Sequence, residues 1–164
     1  MKDRFTNLEI DKMEKPRILY VEDDPKSRLI IRKLLENAGC EVYEAADGRE
    51  GIQKALKLNP DVILMDIMLP QMNGIEATRK LKETKETSKI PIIALTAKAM
   101  ARDREKILAS GCDEYIAKPM DISLLLQTLS KLLKKELSLK PQKSPQRKEK
   151  APKALFSGTL LVVD

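Results

Sequence analysis

Short apolar runs punctuate this chain, and each is followed by a turn signal and then by residues at helical spacing. Arg17-Ile18-Leu19-Tyr20-Val21 and Val62-Ile63-Leu64-Met65 are almost continuously apolar. That is the form of a strand buried on both faces of a parallel sheet. Ile90 to Leu95 reads the same way, with Pro91 near its start, where a strand tolerates it. Glu41 to Ala45 alternates instead, which suits a less buried strand at an edge, and Tyr115-Ile116-Ala117 is a short fifth run.

The intervening stretches predict five helices. Asp24-Pro25 is a helix start, with Asp as N-cap and Pro at the first helical position. Leu29, Ile30, Leu34 and Leu35 follow as its apolar positions, and Gly39 stops it. Asp47-Gly48 opens a second helix carrying Ile52, Ala55, Leu56 and Leu58, and Asn59-Pro60 ends it. A third is expected over about 75–84, with Ile75, Thr78 and Leu81, and a fourth over about 98–110, closed by Gly111. Asp121 caps the last, with Leu124, Leu125, Thr128, Leu129, Leu132 and Leu133. Strictly alternating strands and helices with short links imply right-handed crossovers. The expected fold is α/β, a five-stranded parallel sheet with helices on both faces. A flavodoxin-like strand order 2-1-3-4-5 puts the alternating strand at an edge.

Composition narrows the function. The chain has 164 residues, 34% of them charged and 42% hydrophobic, as expected of one soluble domain. No apolar run approaches the roughly 20 residues that span a bilayer, and the N-terminus does not read as a signal peptide. Cys40 and Cys112 are far apart and outside any CxxC pattern, so both are read as small buried side chains in a reducing cytoplasm. There is no histidine, which removes Ser-His-Asp and Cys-His catalysis, His-ligated zinc and autophosphorylation on histidine. Any metal here should be a hard cation held by oxygen. The net charge is +6, and residues 138–164 supply most of it, with six Lys and Arg against two acidic residues. The nearly neutral remainder, without a set of stacking aromatics, does not read as a nucleic-acid binder.

The chemistry gathers at the strand ends. In this topology all five strands end on one side, the side where open α/β sheets place their sites. Glu22, Asp23, Asp66, Thr96 and Lys118 therefore converge. Three carboxylates repel one another unless a cation intervenes, and Mg²⁺ takes one or two carboxylates, a carbonyl and waters. A central carboxylate can act as a nucleophile and form an acyl phosphate, while a metal and an ammonium neutralise the transferring phosphoryl group. Singly, each residue has a plainer reading. Glu22-Asp23-Asp24 can be only a helix start, Thr96 a turn hydroxyl, Lys118 a solvated lysine. Their placement at the ends of strands one, three, four and five is what gives them weight.

Those same pieces resemble the receiver domain of two-component response regulators, over about residues 16–135. They are Ile-Leu-Tyr-Val-Glu-Asp-Asp-Pro (18–25), Pro-Asp-Val-Ile-Leu-Met-Asp-Ile-Met-Leu-Pro (60–70) with Asn73-Gly74, Ile-Ile-Ala-Leu-Thr-Ala (92–97), and Gly-Cys-Asp-Glu-Tyr-Ile-Ala-Lys-Pro (111–119). Met100-Ala101-Arg102-Asp103 and Gly111-Cys112 are most similar to DivK-like single-domain regulators and to receivers of hybrid kinases. The resemblance implies that Asp66 is the phosphoacceptor. It also implies that Asp23 and Asp66 bind Mg²⁺ (Mn²⁺ able to substitute), with the Met68 carbonyl as a further ligand and Glu22 acting through water. Thr96 and Lys118 would contact the phosphoryl group, and Tyr115 would change rotamer with Thr96. The Lys118–Pro119 bond is expected to be cis. Met120 stands where the family commonly has an aromatic, read as neutral packing.

The implied partner is a histidine kinase or histidine phosphotransfer protein, whose phosphohistidine docks near the first helix and the site loops. The output is a downstream protein or effector domain, reached through the face made by the fourth helix, fifth strand and fifth helix. Such a chain catalyses its own phosphorylation and dephosphorylation and is not a classical enzyme. Whether two copies pair on phosphorylation is left open. A phosphate-independent protein-binding module on the same fold is the alternative. An Asp-nucleophile phosphatase fits poorly, because Met68 stands where that fold needs a second Asp. No Gly-rich phosphate loop marks a nucleotide-binding flavodoxin relative.

The expected organisation is an N-terminal arm at 1–15, a receiver at 16–137, and a basic Pro/Lys-rich linker at 138–158 that reads as a spacer rather than a nucleic-acid or lipid patch. Thr-Leu-Leu-Val-Val-Asp (159–164) resembles Arg-Ile-Leu-Tyr-Val-Glu (17–22), as a truncated first strand of a second receiver would. Residues 138–164 are expected not to pack on the core, and no room is seen for a DNA-binding domain.

Overall fold

A computed structural model describes residues 15–97 and 101–140. Its elements are β1 (Arg17–Val21), α1 (Pro25–Asn37), β2 (Glu41–Ala45), α2 (Gly48–Leu58), β3 (Val62–Asp66), α3 (Gly74–Glu83), β4 (Ile92–Thr96), α4 (Ala101–Ala109), β5 (Glu114–Ala117) and α5 (Ile122–Leu133). The five strands form one parallel sheet in the order β2-β1-β3-β4-β5. Strands β3 and β4, apolar except for Asp66 and Thr96 at their carboxyl ends, are buried along their whole length, and the alternating β2 lies at the edge.

Each face of the sheet carries its own core. Ile18, Tyr20, Val62, Leu64, Ile93, Leu95 and Ile116 pack with Ile31 and Leu35 of α1 and with Leu125, Leu126 and Leu129 of α5. Leu19, Val21, Ile63, Met65, Ile92 and Ala94 pack with Ala55 of α2, Ala77 and Leu81 of α3 and Ile107 of α4. This is the period-2 alternation of side chains across a sheet.

The helix starts follow local chemistry. Asp24, Asp47, Asn73 and Asp121 are N-caps, each accepting a backbone N–H from its own first turn. Pro25 occupies the first turn of α1, and Gly39 ends it at φ +97°.

The apolar face of α1 needs a correction. Ile31 and Leu35 are its buried positions, whereas Leu29 and Ile30 are 43% and 58% exposed. With 3.6 residues per turn, Ile31, Leu35 and Ala38 fall in one stripe, and Ile30 and Leu29 turn away from it. For the same reason Leu124 of α5 faces outward while Leu126 is buried. β4 begins at Ile92 rather than Ile90, since Pro91 brings no N–H to the ladder, and the Ile92 amide donates to Asp113 Oδ2.

After α5 the chain turns at Lys134 (φ 56°) and runs back over the domain. Leu137 is buried, its amide donating to Ser130 Oγ, and the Lys140 amide donates to Asn37 Oδ1. Residues 138–140 of the expected linker are thus still tied to α1. The arm at 1–14, residues 98–100 and the remaining tail at 141–164, with the suggested second-receiver strand, lie outside the described residues.

Candidate functional site

The carboxyl ends of β1, β3 and β5 bring Glu22, Asp66 and Lys118 together. The three share one parity along their strands with Tyr20, Leu64 and Ile116, so the sheet aims all of them to the α1/α5 side. Lys118 Nζ donates to Glu22 Oε1 at 2.8 Å and to Asp66 Oδ2 at 3.1 Å. Asp23 completes the acidic group: one oxygen from each of Glu22, Asp23 and Asp66 lies within 4.8 Å of the others. Glu22 and Asp66 are buried and Asp23 is exposed.

The electrostatics divide the two buried carboxylates. Burial pushes Asp66 above the usual aspartate range, and the Glu22 carboxylate adds to this; Lys118 and the Met68 amide, which donates to Asp66 Oδ1 at 3.0 Å, only partly offset it. Glu22 moves down. Burial alone would raise it, but Lys118 and the Asp24 amide (3.1 Å) outweigh that cost. Lys118 moves up despite burial, because it bonds both carboxylates. Among the described residues the ammonium of Lys118 bonds two of the three carboxylates, Glu22 and Asp66, which leaves the pocket electronegative. The donor set is all hard oxygen, without histidine or thiolate, which fits a small divalent cation such as Mg²⁺.

Thr96 ends β4 one residue past Leu95, the register partner of Asp66. Its carbonyl accepts from the Lys118 amide at 2.6 Å. Thr96 and Met68 both line a cleft of about 420 Å³ beside the acidic group, together with Ile67, Asn73, Ala97 and Ile107. Met68 is exposed. Tyr115 lies on β5 opposite Ala94, half-buried, with the Arg104 guanidinium 5.4 Å from its ring centroid. It faces the α3/α4 side, away from the carboxylates. The Lys118–Pro119 peptide is cis.

Three contributors escape reading from sequence. The Tyr20 hydroxyl donates to Glu22 Oε1 at 3.2 Å; its signal was the two-residue spacing that puts both on one side of β1. Gly74 abuts the site backbone so closely that a Cβ there would run into the Asp66 carbonyl oxygen. Arg28 Nη1 donates to the Glu22 carbonyl at 2.6 Å, across a helix turn that no spacing rule connects to the strand end.

An acidic trio, a half-buried lysine and a threonine at the carboxyl ends of a 2-1-3-4-5 parallel sheet define a receiver-type module. A model of the response regulator receiver domain matches residues 18–130, and the chain belongs to that family. Among curated relatives, the polar-differentiation response regulators DivK of Brucella ovis and Brucella suis are each 39% identical over 116 residues, covering 71% of this chain and 94% of theirs. Among solved structures, the chemotaxis protein CheY4 of Vibrio cholerae superposes with a TM-score of 0.69 at 32% identity, over 72% of this chain and 98% of that one. The receiver domain of the sensor histidine kinase PA1611 of Pseudomonas aeruginosa gives 0.69 at 37% identity, over 73% and 98%, and that structure has a magnesium ion coordinated in its active-site cleft. The chain is thus a receiver of two-component signalling, and no helix among its described residues is long and apolar enough to cross a membrane.

Proposed function

We propose that the chain accepts a phosphoryl group on Asp66 from a phosphohistidine protein and signals through the α4-β5-α5 face. The observation that carries this is Lys118 bonded to both Glu22 and Asp66 within the Glu22–Asp23–Asp66 trio. Asp23 and Asp66, with the Met68 carbonyl and Glu22 through water, would hold Mg²⁺. When bound, the cation supplies positive charge to the transferring phosphoryl oxygens.

Asp66 is the nucleophile: an Oδ–P bond forms as the donor N–P bond breaks, and the donor imidazole keeps the leaving electron pair. Lys118, already at Asp66 Oδ2, neutralises a phosphoryl oxygen, and the Thr96 hydroxyl donates to another. Charge gathered on Asp66 draws both inward. Tyr115 follows Thr96, leaves its place under Arg104, and changes the surface of α4, β5 and α5. Water attack on the acyl phosphate resets the switch. These 164 residues hold no histidine, so the phosphoryl group arrives from a histidine outside them or from a small phosphodonor. Leu29 and Ile30, exposed and apolar on the helix that starts beside the acidic loop, suit the docking of that protein.

The test is intact mass after incubation with acetyl phosphate and Mg²⁺, on wild type and Asp66→Asn. A Mg²⁺-dependent gain of one phosphoryl group in wild type only is expected. A wild type that stays unmodified both with acetyl phosphate and with a phosphorylated histidine phosphotransfer protein would favour a phosphate-independent binding module.

A further inference from the structure

We propose that Arg28 is a positioning residue for the cation site, fixing the peptide that joins Glu22 to Asp23 and so the direction in which the Asp23 carboxylate is offered. The inference rests on reading Glu22, Asp23 and Asp66 as the metal-binding group.

Glu22 is gripped on both sides of its backbone. Its N–H donates to the Ala45 carbonyl of β2 at 2.9 Å, and its carbonyl accepts from Arg28 Nη1 at 2.6 Å. Asp23 comes next in the chain and is the exposed member of the trio. Its orientation follows from the peptide before it, because Asp23 has moved past the last ladder bond of β1 and the cap of α1 begins only at Asp24.

Arg28 is itself anchored. Its Nε donates to Glu44 Oε1 at 3.2 Å, and the other Glu44 oxygen accepts from Arg32 Nε at 2.6 Å. Lys54 Nζ donates to the Glu44 carbonyl at 2.6 Å, which ties β2 to α2 at the same point. The planar guanidinium thus spans a carboxylate on the edge strand and a carbonyl of the acidic loop with two nitrogens of one rigid fork. A lysine cannot reproduce this with a single ammonium. Groups behind a metal ligand that hold its orientation govern affinity without touching the ion.

The sign of the effect separates positioning from charge. Arg28 is cationic, so its charge alone opposes a metal ion, and its removal would tighten binding. Loss of the anchor loosens the loop and weakens binding.

The experiment is calorimetric titration of wild type, Arg28→Gln and Arg28→Lys with MgCl₂. The amide NMR shift of Asp23 reports the ligand loop, and thermal unfolding reports the fold. Arg28→Gln is expected to bind Mg²⁺ about tenfold more weakly, the lower end for a residue acting behind a ligand, and Arg28→Lys about threefold more weakly. A folded Arg28→Gln that binds as tightly as wild type, or more tightly, overturns the proposal, even if its unfolding midpoint has dropped. If only Arg28→Lys folds, wild-type affinity in that variant overturns it. A wild type that takes up no Mg²⁺ overturns the metal-site reading, and this proposal with it.

Discussion

Replacing Lys118 by methionine keeps the length and most of the volume of the side chain but removes its charge. The variant leaves Glu22 and Asp66, whose side chains are 3% and 4% exposed, facing each other without the ammonium now 2.8 and 3.1 Å away. Removing one partner of a buried ion pair costs about 3–5 kcal/mol, and each hydrogen bond to a charged group contributes about 1.5–3 kcal/mol. Lys118 is 27% exposed, so water screens part of the interaction. The lower end applies, about 3 kcal/mol, or roughly 10 °C in midpoint for a domain of this size. The assay is thermal unfolding of wild type and Lys118→Met at neutral pH, in a chelator and then in Mg²⁺. Without metal the variant should unfold about 10 °C lower. Mg²⁺ should stabilise the variant more than wild type, where an entering cation displaces an ammonium already in place. The gap should also narrow as pH falls, because protonating the carboxylates removes the uncompensated charge. Equal midpoints in chelator, or a larger Mg²⁺ gain in wild type, would refute the claim that Lys118 offsets the acidic trio.

Asp66→Asn should stabilise the metal-free domain at neutral pH. The folded-state pKa of Asp66 lies above its unfolded value, so its ionisation opposes folding above that pKa, and the cost disappears as pH falls below the ordinary aspartate range. Urea unfolding across that range should show the variant ahead at neutral pH and level with wild type in acid; wild type ahead at neutral pH would contradict it. Gly74→Ala should cost about 3 kcal/mol, since the new methyl meets Ile67 Cα at 2.7 Å and the Asp66 backbone beside it; an unchanged denaturant midpoint would be the refuting result. Ile30→Ser, at a position 58% exposed, should leave stability within about 0.5 kcal/mol. The same change should slow phosphotransfer from a histidine phosphotransfer protein while leaving acetyl phosphate labelling intact. Leu137→Ala, at 7% exposure, should lower stability by about 2 kcal/mol, measured by urea unfolding, because the segment after α5 closes the core rather than starting a free linker.

Local chemistry determined a good deal of this protein. Unbroken apolar runs have no polar side for water, so β3 and β4 had to be interior, and the alternating Glu41–Ala45 had to sit at an edge. Asp24, Asp47, Asn73 and Asp121 start helices because their side chains satisfy amides within the first turn that follows. Once strands and helices alternate, handedness brings the strand ends to one side, and Glu22, Asp66 and Lys118 with them. The facing of α1 was less legible, since three apolar residues in a row, Leu29 to Ile31, with Leu34 and Leu35 beyond, fit more than one stripe until the sheet selects Ile31 and Leu35. What only the tertiary structure decided are contacts between residues that no sequence period relates. They include Lys118 on Glu22 at a separation of 96 residues, Gly74 against the Asp66 backbone, the Arg28 fork between Glu44 and the Glu22 carbonyl, and Lys140 on Asn37. Caps and periodicity are set by neighbours along the chain. These contacts depend on where packing leaves each strand end, and that position is a property of the whole sheet.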